Sequence, residues 1–376
     1  MQFNKIKLKD IADINMGQSP SGSSYNNNGR GIPFLQGNKT FGFLYPTIDT
    51  WTTEPKKIGK KNSVLMSVRA PVGDLNIANK DICIGRGLCS IEMKNGNNQY
   101  LYYLLKNSIK KIKMKSTGTV FDSINRKELE NIEILDFNKS QQKKISKVLF
   151  DIDKKIELNI QTNDNLLNLA KLKFEEWLTS CDEKLFIKDM ADEILDYNKN
   201  NNEKVKLLNS SDVTLGKFPK IDFVDNKDLK GHFKKRFQKY DVLYSQIRPR
   251  NMHFGYALMD DYNDYIASTR LMVVRNKKDI VSSSVLYFYL TSREAIEDFT
   301  LKTESRSGTF PQGNYEDLSS FKVKYSSDQD EITKLLDLTL EKIYFNNKQN
   351  ETLEQLRDTL LPKLMNGEID LDKIEI

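Results

Sequence analysis

Histidine, cysteine and long apolar runs are scarce in this sequence, and each shortage excludes a class of protein. The 376 residues include two histidines and no Cys-x-x-Cys pair, so a zinc site is not expected. The three cysteines, Cys83, Cys89 and Cys181, are odd in number and unclustered, which predicts reduced thiols. No apolar run approaches the roughly 18 residues of a membrane helix, and the first residues lack the apolar core of a signal peptide. We therefore expect a cytoplasmic protein.

Motifs of nucleotide hydrolysis and methyl transfer are also missing. The sequence contains no G-x-x-x-x-G-K-[ST] loop, which binds the phosphates of ATP. No two prolines are adjacent, so the Asn/Asp-Pro-Pro-aromatic motif of amino-methyltransferases is absent as well. Gly85-Arg86-Gly87 is a lone G-x-G, which is more typical of a turn at a strand edge than of a dinucleotide site. We expect no catalytic residues, no metal and no cofactor in this chain.

The net charge of +6 is unevenly distributed. Residues 1–140 carry 21 Lys and Arg against 12 Asp and Glu, an excess of +9, and residues 186–326 carry 23 against 20, an excess of +3. Residues 141–185 are neutral with 8 against 8, and residues 327–376 carry 6 against 12, or −6. Two basic blocks therefore alternate with a neutral and an acidic one. A basic block suits a polyanion partner, although many soluble domains are equally basic.

The basic blocks are related by an internal repeat. Residues 101–105 (LYYLL) recur as residues 286–290 (LYFYL). Residues 64–71 (VLMSVRAP) resemble residues 242–249 (VLYSQIRP). A Gly-Thr pair precedes a predicted Asn N-cap in both halves, with an acidic residue three positions after the Asn. The chain is therefore interpreted as a tandem duplication.

Each half ends in a segment with the 4-3 apolar spacing of a coiled coil, and adding 187 to a position in the first segment gives its counterpart in the second. The predicted helix-pairing positions of the first segment are Ile145, Leu149, Ile152, Ile156, Asn159, Asn163 and Leu166, continuing through Ala170, Lys173 and Trp177. Those of the second are Ile332, Leu336, Thr339, Ile343, Asn346, Asn350, Leu353, Arg357, Leu360 and Leu364. Two Asn at matching seam positions are expected to fix the register of the pair, because a buried Asn finds its partner in one alignment only.

These patterns predict an α+β fold. Residues 1–140 are expected to form a first compact domain, 141–185 a first spacer helix, 186–326 a second compact domain and 327–376 a second spacer helix. Predicted strands lie at 64–68, 82–84, 271–274 and 321–323, with helices near 99–112 and 284–299. We expect the two spacer helices to pair as an antiparallel coiled coil, which would relate the halves of this tandem repeat by an approximate two-fold axis.

Basic residues beside loops and glycines are the candidate DNA contacts, because Lys and Arg on loops bind phosphates and Arg reads base edges. In the first half they are Lys39, Arg69, Arg86, Lys113, Lys115 and the neighbouring Thr119. In the second half they are Lys234, Lys235, Arg236, Arg248, Arg250, Arg270, Arg306 and Thr309. For any single one of them, core packing or a solvated surface is the better explanation, and it is their recurrence in both halves that favours DNA contact.

Two alternatives remain open at this stage. Asp81 followed by Glu92 and Lys94 has the loose carboxylate-then-Glu-x-Lys form of a magnesium-dependent nuclease. The pattern is degenerate and common by chance in a sequence this rich in Lys and Glu, and Lys94 abuts an Asn-Gly turn, so a solvated strand end is the favoured interpretation. The second alternative is a coiled-coil scaffold with no role in nucleic-acid binding.

The spacer segments resemble a known family. Residues 141–149 (QQKKISKVL), 153–159 (DKKIELN) and 350–369 (NETLEQLRDTLLPKLMNGEI) are similar to the conserved regions of the specificity (S) subunit of type I restriction-modification systems. The Gly-Thr turns before the predicted helices are similar as well. One departure is that the stretches before both helices, 135–140 and 325–328, lack the proline-rich entry usual in the family.

The resemblance implies a non-catalytic DNA reader that covers the whole chain. Residues 1–140 and 186–326 would be target-recognition domains, and each would bind one half of a split, asymmetric target in double-stranded DNA. The spacer helices would set the distance between the half-sites. Methyltransferase (M) subunits would dock on the helices, and restriction (R) subunits, which are motor-nucleases, would cut unmodified DNA. S-adenosylmethionine, ATP and Mg²⁺ would then belong to those partner subunits.

Overall fold

The computed structural model describes residues 4–115, 123–227, 229, 231–306, 312–369 and 371. The chain divides into two compact units, the first formed by Met1–Gln161 with Asn347–Ile376 and the second by Thr162–Asn346. No helix within the described ranges combines the length and the apolar character needed to cross a membrane. The three cysteines are buried free thiols, as the sequence predicts.

Strands and helices follow one another in an order that the second half of the chain largely repeats. The first half contains β1 (Lys5–Lys7), α1 (Leu8–Ile11), β2 (Ala12–Met16), β3 (Tyr25–Asn26), β4 (Ile32–Leu35), β5 (Trp51–Thr52), β6 (Ile58–Gly59), β7 (Val64–Ser67), β8 (Leu75–Ile77), β9 (Ile82–Ile84), β10 (Leu88–Met93), α2 (Asn98–Lys115), α3 (Arg126–Glu130), β11 (Glu133–Leu135) and α4 (Lys139–Thr179). The second half contains β12 (Glu183–Phe186), α5 (Ile187–Met190), β13 (Ala191–Glu193), β14 (Lys204–Leu208), β15 (Val224–Asp225), β16 (Phe233–Lys235), β17 (Val242–Ser245), β18 (Phe254–Tyr256), β19 (Tyr265–Ser268), β20 (Leu271–Asn276), α6 (Ser283–Leu290), α7 (Arg293–Glu304), α8 (Tyr315–Ser319), β21 (Lys322–Tyr325) and α9 (Asp330–Met365).

The two-stranded sheet and the four-stranded antiparallel sheet have the same strand order in both units. In the first unit β1 pairs with β11, and a four-stranded antiparallel sheet has the order β2-β10-β7-β8. In the second unit β12 pairs with β21, and the corresponding order is β13-β20-β17-β18. A further sheet in each unit contains one parallel pair, β4 with β9 and β14 with β19. The α+β class and the tandem repeat are therefore confirmed.

A helix covers one face of the four-stranded sheet in each unit. The side chains of Leu101 and Leu105 on α2 are buried with Ile91 of β10 in the first core. Leu286 of α6 is buried with Val274 of β20 in the second. Each such side chain contributes roughly 1.5–3 kcal/mol of apolar burial. This packing holds the strand ends, and the loops that follow them, in fixed positions.

Most predicted elements are found within a few residues of their expected bounds, but the predicted single helix near 284–299 is wrong. It is two helices, because the chain turns after Leu290 and the Ser292 hydroxyl accepts a hydrogen bond from the Ala295 N–H at 3.2 Å to begin α7. The capping boxes predicted at Asn125 and Asn314 are confirmed, since both side chains accept from the N–H three residues later.

The ends of the long helices differ slightly from expectation. Within the predicted first spacer, 141–185, α4 ends at Thr179 and the chain then enters strand β12. Pro362 lies inside the last turn of α9, which continues to Met365. Gly367 follows with φ of 72°, a left-handed conformation that suits glycine and ends the helix. The predicted stop at this glycine is confirmed.

In the first unit, the early part of α4 pairs with the late part of α9. The Asn159 Nδ2 donates to the Asn350 Oδ1 at 2.8 Å, and the Arg357 Nη1 donates to the Asp153 Oδ1 at 2.7 Å. Positions that rise along α4 thus meet positions that fall along α9, so the pairing is antiparallel. Ile145 and Leu149 are buried in the same core as the end of α9.

In the second unit, the late part of α4 pairs with the early part of α9, again antiparallel. The Asn346 Nδ2 donates to the Asn163 Oδ1 at 2.7 Å, and the Trp177 Nε1 donates to the Asp328 carbonyl at 3.1 Å. Toward the end of α4 the buried positions shift by one residue from the predicted spacing. Lys173 is exposed and Phe174 is buried in its place.

The predicted helix-pairing positions differ in how deeply their side chains are buried. The buried ones are Ile145, Leu149, Ile156, Asn159, Asn163, Ile332, Leu336, Asn346 and Asn350. The partly buried ones are Ile152, Leu166, Ile343 and Leu353. Both Asn pairs therefore lie in the interior of the helix pair of their own unit.

Candidate nucleic-acid interface

In the first unit, the end of β7 meets two loops, and this junction carries two of the predicted arginines. The Val68 N–H donates to the Gly87 carbonyl at 2.9 Å, and the Ile124 N–H donates to the Val68 carbonyl at 3.0 Å. Arg69, the next residue, forms an isolated β-bridge with Ser123. The strand end, the loop before β10 and the segment before α3 are thereby held together, with the Arg69 side chain exposed.

The loop that carries Arg86 is packed against Gln36. The Ser19 hydroxyl donates to the Gln36 Oε1 at 2.8 Å and accepts from the Arg86 N–H at 3.2 Å. A Cβ at Gly85 would lie 2.7 Å from that Oε1, and one at Gly87 would lie 2.6 Å from the Gln36 carbonyl oxygen. The glycines on both sides of Arg86 therefore permit a close backbone approach, which presents the exposed Arg86 side chain at the tip.

The other first-half candidates lie around this junction. Lys39 is exposed in the turn that follows Gln36. Lys113 is exposed near the end of α2, where Gly73 faces it from the loop after Arg69. Lys115 is exposed and donates to the Asn131 carbonyl at 3.3 Å. Thr119 lies outside the described residues.

The second unit builds the same junction from its own residues. The Gln246 N–H donates to the Arg270 carbonyl at 2.9 Å, and the Gly313 N–H donates to the Gln246 carbonyl at 2.9 Å. Ile247 forms an isolated β-bridge with Gln312, as Arg69 does with Ser123. The same three backbone links, between a strand end and two loops, therefore occur in both units. Thr309 lies outside the described residues.

Three arginines of this second junction are held by partners from the same chain. The Arg270 guanidinium donates to the Gln312 side-chain carbonyl. Arg306 donates to the Asp317 Oδ1 at 2.6 Å. Arg250 forms a two-pronged ion pair with Glu304, at 2.9 Å from Nε to Oε1 and 3.1 Å from Nη2 to Oε2. Glu304 thus occupies the two-pronged face of Arg250, whereas Arg270 bonds Gln312 through Nη1 and keeps further guanidinium donors for base edges or phosphates.

The loop bearing Arg248 and Arg250 has a strained backbone. Arg248 has φ of 49° and Met252 has φ of 53°, so two non-glycine residues adopt the left-handed conformation on either side of a short helical turn, Pro249–Asn251. Such conformations cost about 1 kcal/mol or more each and cluster at ligand sites. The strain is consistent with a loop shaped for contact with a ligand. Arg248 itself is exposed.

The three consecutive basic residues at the end of β16 and just after it have different environments. Lys234 is exposed. Lys235 is buried, with its side chain only 3% exposed, and pairs with Glu193 at 2.9 Å. Arg236 is half-buried and donates to the Asn263 Oδ1 at 3.2 Å. The expectation of a DNA contact at Lys235 is wrong, because a strand side chain that points inward is satisfied by an internal carboxylate.

The two junctions differ in how their arginines are engaged. Among the described residues, the side chains of Arg69 and Arg86 have no hydrogen-bond or ion-pair partner. In the second unit, the hydrogen bonds from Arg250 hold the pKa of the Glu304 carboxyl below its ordinary value, and the same contact raises the pKa of Arg250. Both groups thus stay charged at neutral pH, and a phosphate at Arg250 must compete with Glu304.

Sequence reasoning missed the polar side chains that organise the junctions. Gln36 connects Ser19 to the Arg86 loop, and Gln312 receives Arg270. Both lie in segments that the sequence identifies only as turns. Their local signal is an amide beside glycine, Gln36-Gly37 after β4 and Gln312-Gly313 before α8. Glu304 carries no sequence signal, because its partner is 54 residues away.

The residues of the nuclease alternative are separately engaged. The Asp81 Oδ1 accepts from the Lys61 N–H at 2.8 Å, and Glu92 pairs with Lys60 at 3.2 Å. Lys94 donates to the backbone carbonyl of Lys9 at 2.7 Å. Within the described part of the chain, no group of three or more His, Cys, Asp or Glu side chains is arranged to hold a metal ion. The three residues thus serve local structure in the first unit.

Comparison with known proteins agrees with this duplicated architecture. The family model described as the type I restriction modification DNA specificity domain matches residues 2–168 and again residues 183–355. The chain belongs to this family. Each matched range includes the strands of one unit together with most of the long helix that follows, so the family repeat coincides with the structural repeat.

Individual relatives of this chain are named as specificity subunits of type I restriction enzymes. A putative type I restriction enzyme MjaX specificity subunit of Methanocaldococcus jannaschii is 43% identical over 160 residues, covering 42% of this chain and 38% of the relative. The HindI specificity subunit of Haemophilus influenzae is 37% identical over 159 residues, covering 42% and 34%. The chain thus spans less than two fifths of the length of these two relatives.

Two longer matches extend over both specificity domains. The MjaIX specificity subunit of M. jannaschii is 23% identical over 418 aligned residues, covering 98% of this chain and 94% of the relative. The crystal structure of a type I restriction-modification S subunit from M. genitalium superposes with a TM-score of 0.65 at 17% identity, covering 97% and 96%. At that identity the superposition shows the fold.

Proposed function

We propose that this chain is the DNA sequence-specificity subunit of a type I restriction-modification complex, and that it has no catalytic activity of its own. The observation that carries the proposal is the junction built twice from the same three backbone links, each time with exposed arginines. A duplicated reader predicts a target of two half-sites, and the different side chains at the two junctions predict that the half-sites differ in sequence.

The chemistry of the junctions supports a DNA ligand. Exposed Arg and Lys side chains neutralise phosphates, and Arg and Gln side chains pair with guanine and adenine edges in the major groove. Arg69 and Arg86 in the first unit, and Arg270 with Gln312 in the second, provide these groups at the ends of rigid strands. The excess of positive charge over residues 1–140 and 186–326 adds a general attraction for DNA.

The partners and cofactors follow from the same proposal. Methyltransferase subunits would bind along α4 and α9 and supply S-adenosylmethionine chemistry on adenine. Restriction subunits would add the ATP- and Mg²⁺-dependent cutting of unmodified DNA in the cytoplasm. The chain itself would hold none of these cofactors, and its contribution would be to position the partners on the target.

The spacing of the half-sites is proposed to depend on the long helices. Since α4 and α9 each contribute residues to both units, a heptad inserted in register into both would lengthen the connection by about 10 Å. Binding of one unit raises the effective concentration of the other only when the half-site spacing matches. The tolerated DNA spacer should therefore lengthen in the heptad variant, and an unchanged spacer would contradict the role of the helices.

The decisive experiment maps methylated adenines in DNA from cells that express the chain with its methyltransferase partner. We expect a two-part motif separated by unspecified bases. Arg86→Ala should relax one half of the motif and Arg270→Ala the other, with each lost base contact worth about 1–3 kcal/mol. Arg293→Ala is the matched control, because Arg293 is an exposed arginine in the first turn of α7 that pairs with Glu297 and takes no part in the backbone links of the junction.

The outcomes distinguish the proposed specificity subunit from a nuclease and from a scaffold. A single uninterrupted motif, or the loss of both halves in either variant, would contradict the assignment of one half-site to each unit. Magnesium-dependent cleavage by the purified chain, abolished by Glu92→Ala, would favour the nuclease alternative. An absence of any salt-dependent DNA binding would favour a scaffold.

A further inference from the structure

A buried ionic cluster lies between α2, α4 and α9 in the first unit. Asp153 on α4 is fully buried, and its Oδ1 accepts from Arg357 of α9 at 2.7 Å. Its Oδ2 accepts from the Tyr103 hydroxyl of α2 at 2.8 Å, with the Lys106 Nζ at 3.9 Å. Arg357 is 7% exposed. One carboxylate thus satisfies two cations and a hydroxyl in the interior.

The second unit has apolar residues at the positions equivalent to Asp153, Arg357 and Tyr103. The shift of 187 residues that aligns the two long helices aligns Asp153 with Leu340 and Ala170 with Arg357. The LYYLL and LYFYL repeats align Tyr103 with Phe288. Leu340, Ala170 and Phe288 are all buried in the apolar core of the second unit. The polar set and the apolar set therefore occur at equivalent places, one in each unit.

The buried asparagines do not share this asymmetry. Asn159 pairs with Asn350 and Asn163 pairs with Asn346, and the same shift of 187 residues converts Asn346 into Asn159 and Asn350 into Asn163. If α4 paired antiparallel with α4 of a second copy in this register, Asn159 would meet Asn163. The amide pairs thus fix the register of the helices but accept either helix as the partner.

The ionic cluster does distinguish the partners. In an α4–α4 pair, the position that faces Asp153 is Ala170, so the carboxylate loses Arg357. In an α9–α9 pair, Arg357 faces Leu340 and loses its internal carboxylate. Breaking a buried ion pair by removing one partner weakens the structure by roughly 100-fold or more in an equilibrium constant. We propose that Asp153 and Arg357 select pairing of α4 with α9 over pairing of either helix with its own kind in a second copy.

The proposal is independent of DNA binding and is tested on the full chain. The variant Asp153→Leu/Arg357→Ala gives the first unit the residues of the second at these two positions, so the possible helix pairings no longer differ there. The chain is unfolded in guanidinium and refolded by dilution at a series of protein concentrations. Light scattering then measures the molar mass of the refolded protein. The concentration at which half of the refolded chain is dimeric should fall by about 100-fold or more relative to the wild type.

Cross-linking identifies which helices pair in the dimer. Pairing of α4 with α4 brings Lys155 near Lys171 of the other copy, whereas the two lysines of one helix are about 24 Å apart at 1.5 Å per residue. We expect a short lysine cross-link between these positions, joining isotopically distinct chains. Dimers that lack this cross-link would overturn the proposal.

Two further variants complete the experiment. Asp153→Asn/Arg357→Gln removes both charges while it keeps hydrogen-bonding groups and much of the volume, so it provides folded protein if the apolar variant is unstable, and it should also dimerise more readily. Lys147→Ala/Asp151→Ala removes an exposed ion pair of the same helix and should behave as the wild type. If neither variant of the buried pair dimerises more than the wild type, or if the exposed control does so equally, the buried pair does not select the partner.

Discussion

The ion pair between Arg250 and Glu304 predicts a specific change in the salt dependence of DNA binding. A protein that neutralises a phosphate releases a condensed cation, and each contact adds about 0.9 to the slope of log affinity against log salt. When a phosphate takes Arg250 from Glu304, the freed carboxylate recruits a cation, which offsets that release. The wild-type Arg250 should therefore contribute little to the slope.

Glu304→Gln removes the competitor and leaves the arginine charged. We expect the slope to steepen by about 0.9, so that raising the salt from about 50 to 200 mM costs the variant about 3.5-fold more affinity than the wild type. Affinity at the lower salt should rise. The measurement is fluorescence anisotropy of a labelled duplex that carries the mapped target, titrated with the complex of this chain and its methyltransferase subunits.

The matched control is Glu294→Gln, which removes the same charge from the same helix. Glu294 is exposed in the first turn of α7 and acts on Arg293, so this variant reports the general effect of a lost negative charge near DNA. If both variants change the slope equally, Arg250 does not exchange Glu304 for a phosphate. If neither changes it, the loop of Arg250 does not contact the DNA backbone.

Four other predictions concern the stability and reactivity of the chain. Arg357→Ala should lower the free energy of unfolding, measured in urea, by about 3–5 kcal/mol, because it leaves a buried carboxylate without its main partner. Asn159→Ala should cost about 1–3 kcal/mol in the same assay, since the buried Asn350 amide loses its partner, and a loss below about 0.5 kcal/mol would contradict it. Ser292→Ala should cost about 1 kcal/mol and speed amide exchange at the start of α7 rather than in α6. Burial raises the pKa of the Cys89 thiol to about 12, so less thiolate is present at pH 8 than for an ordinary thiol, and mass spectrometry should find Cys89 unmodified by iodoacetamide until the protein unfolds.

The architecture could be predicted from the sequence because it is recorded in periodic and repeated residues. The 4-3 spacing identifies α4 and α9, and the repeated LYYLL-type segments identify the duplication. The buried Asn residues indicate a specific register, and the structure places Asn159 against Asn350. Each of these patterns can be recognised within one short segment, or by comparing a segment with its repeat in the other half of the sequence.

The interface and the buried cluster could not be predicted in the same way. Lys234, Lys235 and Arg236 are alike in sequence, but only the strand direction determines that Lys235 points inward to Glu193. The pairing of Asp153 with Arg357 joins residues 204 positions apart, and Arg357 occupies a seam position at which its copy is Ala170. Local spacing carries no information about such distant partners.

The division of the chain into units has a consequence for its biosynthesis. Leu361, Leu364, Met365 and Leu371 are buried in the core of the first unit, although the larger part of that unit, up to Gln161, precedes the second unit in the chain. While a ribosome makes the chain, the first unit therefore keeps part of its apolar surface uncovered until these four residues emerge. The second unit is complete by Asn346. The usual order of folding, in which the N-terminal domain finishes first, is therefore expected to be reversed in this protein.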